Sequence, residues 1–184
     1  MTPLRVCVAG AAGRMGRALI EAIAAAPDLR LSGALELAGS NFIGRDAGEM
    51  LGAAKSGVTI GADAEEALGA SDVLIDFTRP EPTLAHLALC ARLSVKAVIG
   101  TTGFSATQKE SIQRAAKDVS IVFAPNMSVG VNLTFKLIEL AAQVLHEGYD
   151  IEVIEAHHRH KVDAPSGTAV RMGEILAKSL NRSL

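Results

Sequence analysis

The chain has few of the residues that stack on bases or cross-link a fold. Its 184 residues include no tryptophan, one tyrosine and two cysteines, and aromatic side chains make up 3% of the sequence. The formal net charge is −2. A nearly neutral surface with so few aromatic rings argues against a nucleic-acid partner, because such proteins need a basic field and stacking platforms.

Metal sites, disulfides and membrane segments also lack support in the sequence. Cys7 falls in an apolar strand pattern and Cys90 in a helical one, which favours core packing for both. The neighbouring histidines near residue 158 have neither an H-E-x-x-H spacing nor a cysteine partner, so we predict no metal site. No apolar run reaches membrane-spanning length, and the first residues lack a basic and apolar signal sequence. We expect a cytoplasmic protein with no membrane partner.

Short β-rich runs alternate with longer helical patterns along the chain. This alternation is typical of βαβ units, and it predicts an α/β fold with a parallel sheet covered by helices on both faces. A Gly-rich loop over 39–57 is long enough to indicate function or mobility. The domain boundary falls near Met127. The predicted strands cover 4–9, 30–36, 72–77, 95–100, 119–124 and 151–156, and the predicted helices cover 14–26, 82–93, 105–117, 129–146 and a stretch from about 167.

The first strand runs into GAAGRMG, residues 10–16, which opens an alanine-rich helix. Gly10 can supply a tight turn, Gly13 lets the backbone approach a pyrophosphate, and Gly16 allows close packing of helix on strand. Glu36 ends the second strand about twenty residues later, where an acidic side chain accepts hydrogen bonds from the adenine ribose. The spacing departs from G-x-G-x-x-G because Ala12 replaces the second glycine. The pattern predicts a dinucleotide site, with a plain strand-to-helix turn as the alternative.

The residue after Glu36 bears on the choice of cofactor. Glu36 would repel a ribose 2′-phosphate, and Leu37 offers no cation in return. We therefore predict that NADH is favoured. NADPH is also allowed, because Arg14 or Arg45, on flexible segments, can reach a phosphate.

Two further segments follow predicted strands at the sheet edge where open α/β folds bind ligands. They are DFTRP, residues 76–80, and GTTGF, residues 100–104. Their glycines and hydroxyl side chains would let a flat ring lie against the backbone. Ordinary turn chemistry is the alternative for each segment.

The stretch EAHHRHKVDAPSGT, residues 155–168, packs three histidines, an arginine and a lysine into five positions. If the strand from residue 151 continues, its period of two puts His157, Arg159 and Lys161 on one face. The Pro-Ser-Gly-Thr run at 165–168 then opens a helix whose N–H groups can bind an anion. Together these features predict a site for a small substrate with more than one carboxylate, and a solvated basic loop is the alternative.

Five motifs resemble, in order and spacing, those of the 4-hydroxy-tetrahydrodipicolinate reductase family, also called dihydrodipicolinate reductase. The resemblance implies a Rossmann-type dinucleotide-binding domain over 1–127 and part of an α+β domain with an open sheet over 128–184, which forms the tetramer interface in the full-length family. It also implies hydride transfer from NAD(P)H to a cyclic imine dicarboxylate in the diaminopimelate route to lysine. The motifs are GAAGRMG (10–16), DFTRP (76–80), GTTGF (100–104), APNMSVG (124–130) and EAHHRHKVDAPSGT (155–168).

The resemblance also implies roles for individual residues. The adenosine and pyrophosphate end of the cofactor would contact Gly10, Arg14, Met15 and Glu36, and the glycine pattern adds Gly13 and Gly16 to these cofactor-binding residues. The nicotinamide would be bordered by Phe77, Gly100, Thr101, Thr102, Ala124, Pro125, Asn126 and Met127. The substrate carboxylates would be held by His158, Lys161, Gly167 and Thr168. Either His157 or Lys161 would be the proton donor, and a lysine is charged at neutral pH, so that it can both anchor a carboxylate and protonate the reduced ring.

The chain departs from the family in one respect: members of the family continue for several more strands and helices after the position that corresponds to residue 184. We therefore expect NADH binding to survive more readily than catalysis. The competing hypotheses are a catalytically inert NADH-binding fragment and a different Rossmann oxidoreductase. We expect a homo-oligomer, and both the hydroxylated ring and its dehydrated form remain open as the substrate.

Overall fold

The computed structural model describes residues 2–159 and 164–183, and the chain divides into two units, Met1–Phe123 and Ala124–Leu184. The strands of the first unit are β1 (Leu4–Ala9), β2 (Leu29–Leu35), β3 (Ile60–Gly61), β4 (Val73–Asp76), β5 (Lys96–Ile99) and β6 (Ile121–Phe123). Its helices are α1 (Arg14–Ala25), α2 (Ala47–Met50), α3 (Ala64–Gly69), α4 (Pro80–Leu93) and α5 (Ala106–Ala115). The second unit contains α6 (Val129–Val144) and α7 (Gly167–Ser179).

The six strands form one parallel sheet in the order β3-β2-β1-β4-β5-β6. The chain builds outward from β1 in one direction and then returns to build outward from it in the other. This is the strand order of Rossmann folds, and the predicted α/β class is confirmed. The strand order reverses between β1 and β4, so the ligand crevice of such a fold opens above the carboxyl ends of these two strands.

The sheet is buried on both faces, as its continuous apolar strands require. Along β1, Val6 and Val8 join the core on one face, whereas Cys7 and Ala9 join the core on the other. Cys7 and Cys90 are both fully buried, and the predicted packing role of the two cysteines is confirmed. Burial raises the pKa of each thiol to about 12, so neither is a ready nucleophile.

The predicted loop over 39–57 is more ordered than its glycine content indicated. It contains the one-turn helix α2, which begins after Asp46. The Asp46 carboxylate accepts backbone hydrogen bonds from Gly48, Glu49, Ser56 and Gly57 at 2.8 to 3.1 Å, so one side chain ties the start of α2 to the end of the loop. These bonds, the one from Ser56 above all, lower the pKa of Asp46 to about 2.

Two short elements after this loop were not predicted. Strand β3 has only two residues, which is too short to show a period of two, and α3 has six. The other strands and helices of the first unit lie where the sequence predicted them, with ends that differ by one or two residues. Helix α4 begins at Pro80 rather than Pro82, because a proline in the first helical turn gives up an N–H that has no partner there.

The predicted strand over 151–156 is wrong. Residues 151–158 have no strand structure, and no strand in the described part of the chain pairs with them. An apolar β pattern becomes a strand only when a neighbour satisfies its backbone groups. The side chain of Ile154 is 89% exposed, which agrees with the lack of a covering layer. The two-faced arrangement predicted for His157 and Arg159 therefore loses its basis.

The helices of the second unit are confirmed. Ser128 caps α6 through a hydrogen bond from the Val131 N–H, and Ser166 caps α7 through one from the Ala169 N–H. The hydroxyl at Ser166 belongs to the Pro-Ser-Gly-Thr run from which the start of α7 was predicted. Across the described residues, none of the helices combines the length and the apolar character needed to cross a lipid bilayer.

Candidate cofactor and catalytic site

The glycine-rich turn after β1 has the local geometry that its sequence predicted. Gly10 has φ of 68°, a left-handed conformation that costs glycine little, and its carbonyl accepts the N–H of Gly13 at 2.9 Å. Gly16 faces the turn so closely that an added Cβ would lie 2.7 Å from the Cα of Ala11. The tight turn at Gly10 and the close packing at Gly16 are thus confirmed. Helix α1 starts directly above the turn, with its first N–H groups available to an anion.

Glu36 lies beside this turn at the same edge of the sheet. Ala9 pairs with Leu35 in the parallel register of β1 and β2, so Gly10 and Glu36 follow neighbouring strand ends. The Glu36 backbone N–H donates to the Gly61 carbonyl at 2.9 Å, which anchors its position against β3. The structure brings the glycine turn and the acidic residue together as the dinucleotide pattern requires.

An arginine that the sequence analysis missed braces the turn from α1. The Arg17 guanidinium donates from Nε to the Ala12 carbonyl at 3.0 Å and lies 5.2 Å from the ring centre of Phe42. Arg45 lies 5.4 Å from the same ring centre. Phe42 therefore holds two arginines near the turn by cation–π contact, an arrangement of loop residues for which the sequence carries no periodic signal. Arg14 and Met15 are exposed at the start of α1.

The carboxyl ends of β4 and β5 carry a buried polar cluster. Asp76 pairs with Ala9 on one side and with Ile99 on the other, so it lies in the middle of the row of carboxyl-terminal strand ends. Its side chain is fully buried and accepts hydrogen bonds from Thr78 Oγ1 at 2.6 Å and from His86 Nδ1 at 2.8 Å. Thr83 and Thr101 complete the cluster; it contains two residues, Thr83 and His86, that the sequence analysis missed.

The electrostatics of Asp76 reflect two opposing effects. Burial, the largest single effect, acts to raise the pKa of its carboxyl group, whereas the hydrogen bonds from His86 and Thr78 act to lower it. The hydrogen bonds prevail, and the pKa of Asp76 lies below its ordinary value. The cluster therefore contains a buried negative charge at neutral pH.

The segments predicted to border the nicotinamide begin at this cluster. The Phe77 ring lies directly against the backbone of Gly100, and the Gly100 N–H donates to the Asp76 carbonyl at 2.9 Å. Thr101 points inward, where its hydroxyl joins the Asp76 cluster, whereas Thr102 is exposed. The two loops thus meet at one place on the sheet edge and present backbone rather than the Thr101 side chain outward.

In the second unit, the segment 124–127 is organised by Asn126. Its Oδ1 accepts the Ser128 N–H at 2.8 Å and its carbonyl accepts Asn132 Nδ2 at 3.0 Å, which fixes it on the start of α6. Its Nδ2 donates to Thr168 Oγ1 at 3.5 Å, in the first turn of α7. Asn126 thereby links the predicted nicotinamide segment to the predicted carboxylate-binding helix end. Ala124, Pro125 and Met127 flank it.

The basic motif is described up to Arg159 and again from Ala164. Lys161, the predicted proton donor and carboxylate ligand, lies outside the described residues, as do His160, Val162 and Asp163. Glu155, which opens the motif, accepts the Ser166 N–H at 2.8 Å and lies 3.4 Å from Nδ1 of His157. Glu155 therefore joins His157 to the N-terminus of α7, where Gly167 and Thr168 are found. The sequence analysis did not single out Glu155, although it is the acidic residue just before the basic cluster.

Comparison with known proteins shows the family of the chain. Residues 4–127 match the family model described as dihydrodipicolinate reductase, N-terminus, and residues 130–183 match that of the C-terminus. The 4-hydroxy-tetrahydrodipicolinate reductases of Nitrosomonas europaea and of Neisseria meningitidis serogroup B are 60% and 59% identical over 184 residues, which is all of this chain and 68% of each relative.

A solved structure adds the comparison in three dimensions. A dipicolinate-bound dihydrodipicolinate reductase from Paenisporosarcina sp. TG-14 superposes with a TM-score of 0.75 at 31% identity, covering 97% of this chain and 67% of that one. An amine dehydrogenase from Mycobacterium smegmatis, 22% identical with a TM-score of 0.51 over 64% of this chain and 37% of that one, shares the fold alone. The chain belongs to the dihydrodipicolinate reductase family, the NAD(P)H-dependent oxidoreductases of lysine biosynthesis.

Proposed function

We propose that this chain binds a reduced nicotinamide nucleotide along the carboxyl edge of its sheet and reduces 4-hydroxy-tetrahydrodipicolinate, a cyclic dicarboxylate. The turn from Gly10 to Gly16 carries the proposal, because it combines a left-handed glycine, a helix start and an acidic neighbour at the reversal of strand order. Fold alone would not license this function, but the family match over 4–127 and 130–183 adds the chemistry.

The adenosine end of the cofactor is assigned to the glycine turn. The pyrophosphate would lie on the N–H groups of Arg14, Met15 and Gly16, with Gly10 and Gly13 allowing the close approach. The Glu36 carboxylate would accept hydrogen bonds from the hydroxyl groups of the adenine ribose. These contacts use only the first unit, whose turn and neighbouring strand end are already in register.

We assign a preference for NADH over NADPH to the same end. Glu36 would repel a 2′-phosphate, and the Leu37 side chain, 75% exposed, offers it no charge. Arg45 lies against Phe42 in the following loop. It would have to leave that contact to bind a 2′-phosphate beside Glu36. The expected preference is therefore moderate, and comparison of the dissociation constants of the two cofactors measures it.

The nicotinamide end is assigned to the loops after β4, β5 and β6. The residues that would border the ring are Phe77, Gly100, Thr101, Thr102, Ala124, Pro125, Asn126 and Met127. The contact of Phe77 with Gly100 gives a flat, backbone-lined surface of the kind that suits an aromatic ring. The bound dihydronicotinamide supplies the hydride.

The substrate carboxylates are assigned to His158, Lys161, Gly167 and Thr168. The first turn of α7 offers N–H groups and a favourable dipole to an anion, and Ser166 and Glu155 fix its start. The proton donor is Lys161, with His157 in a supporting role, since Glu155 lies beside its Nδ1 and can orient the ring. Lys161 would give its proton to the ring atom that becomes electron-rich as hydride adds to the neighbouring carbon.

Kinetics of two substitutions test this assignment. Lys161→Ala should lower kcat by about 10² to 10⁴ and leave the dissociation constant of NADH unchanged, because the lysine acts on substrate alone. His157→Gln should cost less in kcat. If Lys161→Ala retained full turnover while His157→Gln lost it, the proton donor would be His157 instead.

Three predictions that these assignments do not use also stay predictions. They are the domain limits 1–127 and 128–184, the homo-oligomeric state and the cytoplasmic location.

A further inference from the structure

A buried carboxylate with its own histidine lies directly beneath the proposed nicotinamide surface, and neither has a part in the reaction. We call Asp76, Thr78, Thr83, His86 and Thr101 the Asp76 cluster. Its members come from the end of β4, the loop after it, two turns of α4 and the loop after β5. The Asp76 side chain is fully buried and that of His86 is 15% exposed.

The cluster is fully hydrogen-bonded. One oxygen of Asp76 accepts from the Thr78 N–H at 2.9 Å, from Thr78 Oγ1 at 2.6 Å and from Thr83 Oγ1 at 3.1 Å. The other accepts from His86 Nδ1 at 2.8 Å. The hydroxyls of Thr83 and Thr101 lie 2.9 Å apart, so Thr83 connects the Asp76 carboxylate to the loop after β5 by hydrogen bonds. No buried side-chain nitrogen or oxygen in the described residues lacks a partner.

Burying a carboxylate is costly, and the cost is recovered only when the surrounding groups are fixed in place. The pKa of Asp76 lies below its ordinary value, because the bonds from His86 and Thr78 outweigh the burial that opposes them. With the carboxylate charged, Nδ1 of His86 must carry the proton that it donates. An apolar residue at position 76 would serve a plain sheet core equally well, so the charge calls for another explanation.

We propose that Asp76 is a positioning residue for the nicotinamide: its carboxylate, held by His86, fixes the loops after β4 and β5 at the separation that the ring requires. The inference rests on the proposed function, since it needs the nicotinamide to lie on Phe77 and Gly100. The Asp76 carboxylate accepts hydrogen bonds from Thr78 in the loop after β4 and from Thr101 in the loop after β5. These two loops carry the two sides of that surface. The Gly100 N–H also donates a hydrogen bond to the Asp76 carbonyl, which adds a backbone bond between the two strand ends.

A purely structural role would give a different result from a positioning role. Loss of general stability would weaken all ligands of the first unit alike. Loss of loop position would weaken NADH but spare ADP-ribose, which has the adenosine, pyrophosphate and second ribose without the nicotinamide. Because the glycine turn lies on β1 and α1, it should keep ADP-ribose when the loops after β4 and β5 move.

The test compares Asp76→Asn with Asp72→Asn in the full chain. Asp72 immediately precedes β4 and pairs with Arg5 at 2.7 Å, so it is a nearby carboxylate that also has a charged partner. Asp72 lies about 13 Å from Asp76 along the strand direction, at the opposite end of the sheet from the proposed cofactor site. Calorimetry gives the dissociation constants of NADH and of ADP-ribose for each variant.

We expect Asp76→Asn to raise the dissociation constant of NADH about tenfold and that of ADP-ribose by less than about twofold. Asp72→Asn should leave the ratio of the two constants unchanged. Equal weakening of both ligands by Asp76→Asn, or no weakening of NADH, would overturn the inference. A wild-type chain that binds NADH no better than ADP-ribose would also overturn it, whereas one that binds neither would overturn the proposed function itself.

A milder pair covers the case in which Asp76→Asn fails to fold. Thr83 is 1% exposed, and Thr83→Val keeps its shape while removing the hydroxyl that links Asp76 to Thr101. Thr83→Ser keeps the hydroxyl and removes a methyl group. NADH affinity should fall about threefold in Thr83→Val and by less than about twofold in Thr83→Ser. The reverse order would show that packing matters and the hydrogen bond does not, and the inference would fail.

Discussion

The ring of Phe77 lies on the backbone of Gly100, in the space that a Cβ at residue 100 would occupy. The two residues follow β4 and β5, whose last residues Asp76 and Ile99 are paired. Only glycine permits this contact, so the sequence of one loop sets the position of an aromatic ring on the other. The contact forms the surface to which we assign the nicotinamide.

Gly100→Ala should therefore displace the Phe77 ring and lower the affinity for NADH. In a double-mutant cycle with Phe77→Ala, the second substitution removes the ring that the new methyl group would strike. Gly100→Ala should cost clearly less in the Phe77→Ala background than in the wild type, with a coupling of about 1 kcal/mol or more in NADH binding. Additive effects in calorimetry would show that the two residues act separately.

Gly16→Ala should destabilise the first unit. The added methyl group would overlap the backbone of Gly10 and Ala11, and backbone cannot rotate away as a side chain can. We expect the free energy of unfolding to fall by about 1 to 3 kcal/mol in urea titration, with a loss of NADH affinity. Gly69→Ala is the matched control, because its added Cβ would meet no atom within 4 Å beyond its chain neighbours and its own helix backbone, and it ends helix α3. The control should be neutral or slightly more stable than wild type.

The ion pair of Arg5 with Asp72 predicts a defined loss of stability in acid. The hydrogen bonds and charge of Arg5 lower the pKa of Asp72 to about 2 from an ordinary 3.8. A carboxyl group with a lowered folded-state pKa stabilises the fold above its unfolded-state pKa, and this contribution disappears as pH falls through the folded-state value. Between about pH 4 and pH 2, wild type should lose more unfolding free energy than Asp72→Asn. Equal losses in urea titrations across that range would count against the pair.

Asp46→Ala should loosen the segment 46–57 of the loop over 39–57 more than loss of an ordinary helix cap does. Asp46 binds N–H groups at both ends of this segment, whereas Asp63 caps α3 with a single bond to the Glu66 N–H at 3.0 Å. We expect Asp46→Ala to cost about 2 kcal/mol in unfolding free energy and Asp63→Ala about 1 kcal/mol. Limited proteolysis should cut within the loop only in Asp46→Ala. Equal costs for the two variants would reduce Asp46 to an ordinary cap.

The sheet and its glycine turn could be predicted because their signals are local. Continuous apolar runs mark β1, β4 and β5, and Gly10, Gly16 and Glu36 stand at fixed distances along the chain. The strand predicted over 151–156 was wrong because its apolar pattern specified a face but supplied no neighbour. Strand β3 was missed because two residues carry no period, and its place depends on pairing with β2.

The buried part of the candidate site was hidden for a related reason. Thr83 and His86 lie on one side of α4 and look like ordinary helix residues until the fold brings them to Asp76. Glu155 and Ser166 are separated by part of the basic motif, and only the structure joins them. Contacts between segments that the sequence places far apart, such as that of Arg17 with Phe42, have no local pattern from which to be predicted.

Transfer of deuterium from the nicotinamide C4 position of deuterated NADH to the substrate ring tests the central claim most directly. The substrate is prepared from pyruvate and aspartate semialdehyde, and the product is analysed by mass spectrometry. With NADH dideuterated at C4, we predict one deuterium per product ring with the wild-type chain and almost no product with Lys161→Ala, which should still bind NADH. A folded wild-type chain that binds NADH but gives no deuterated product would contradict the claim and leave a cofactor-binding module without reductase activity.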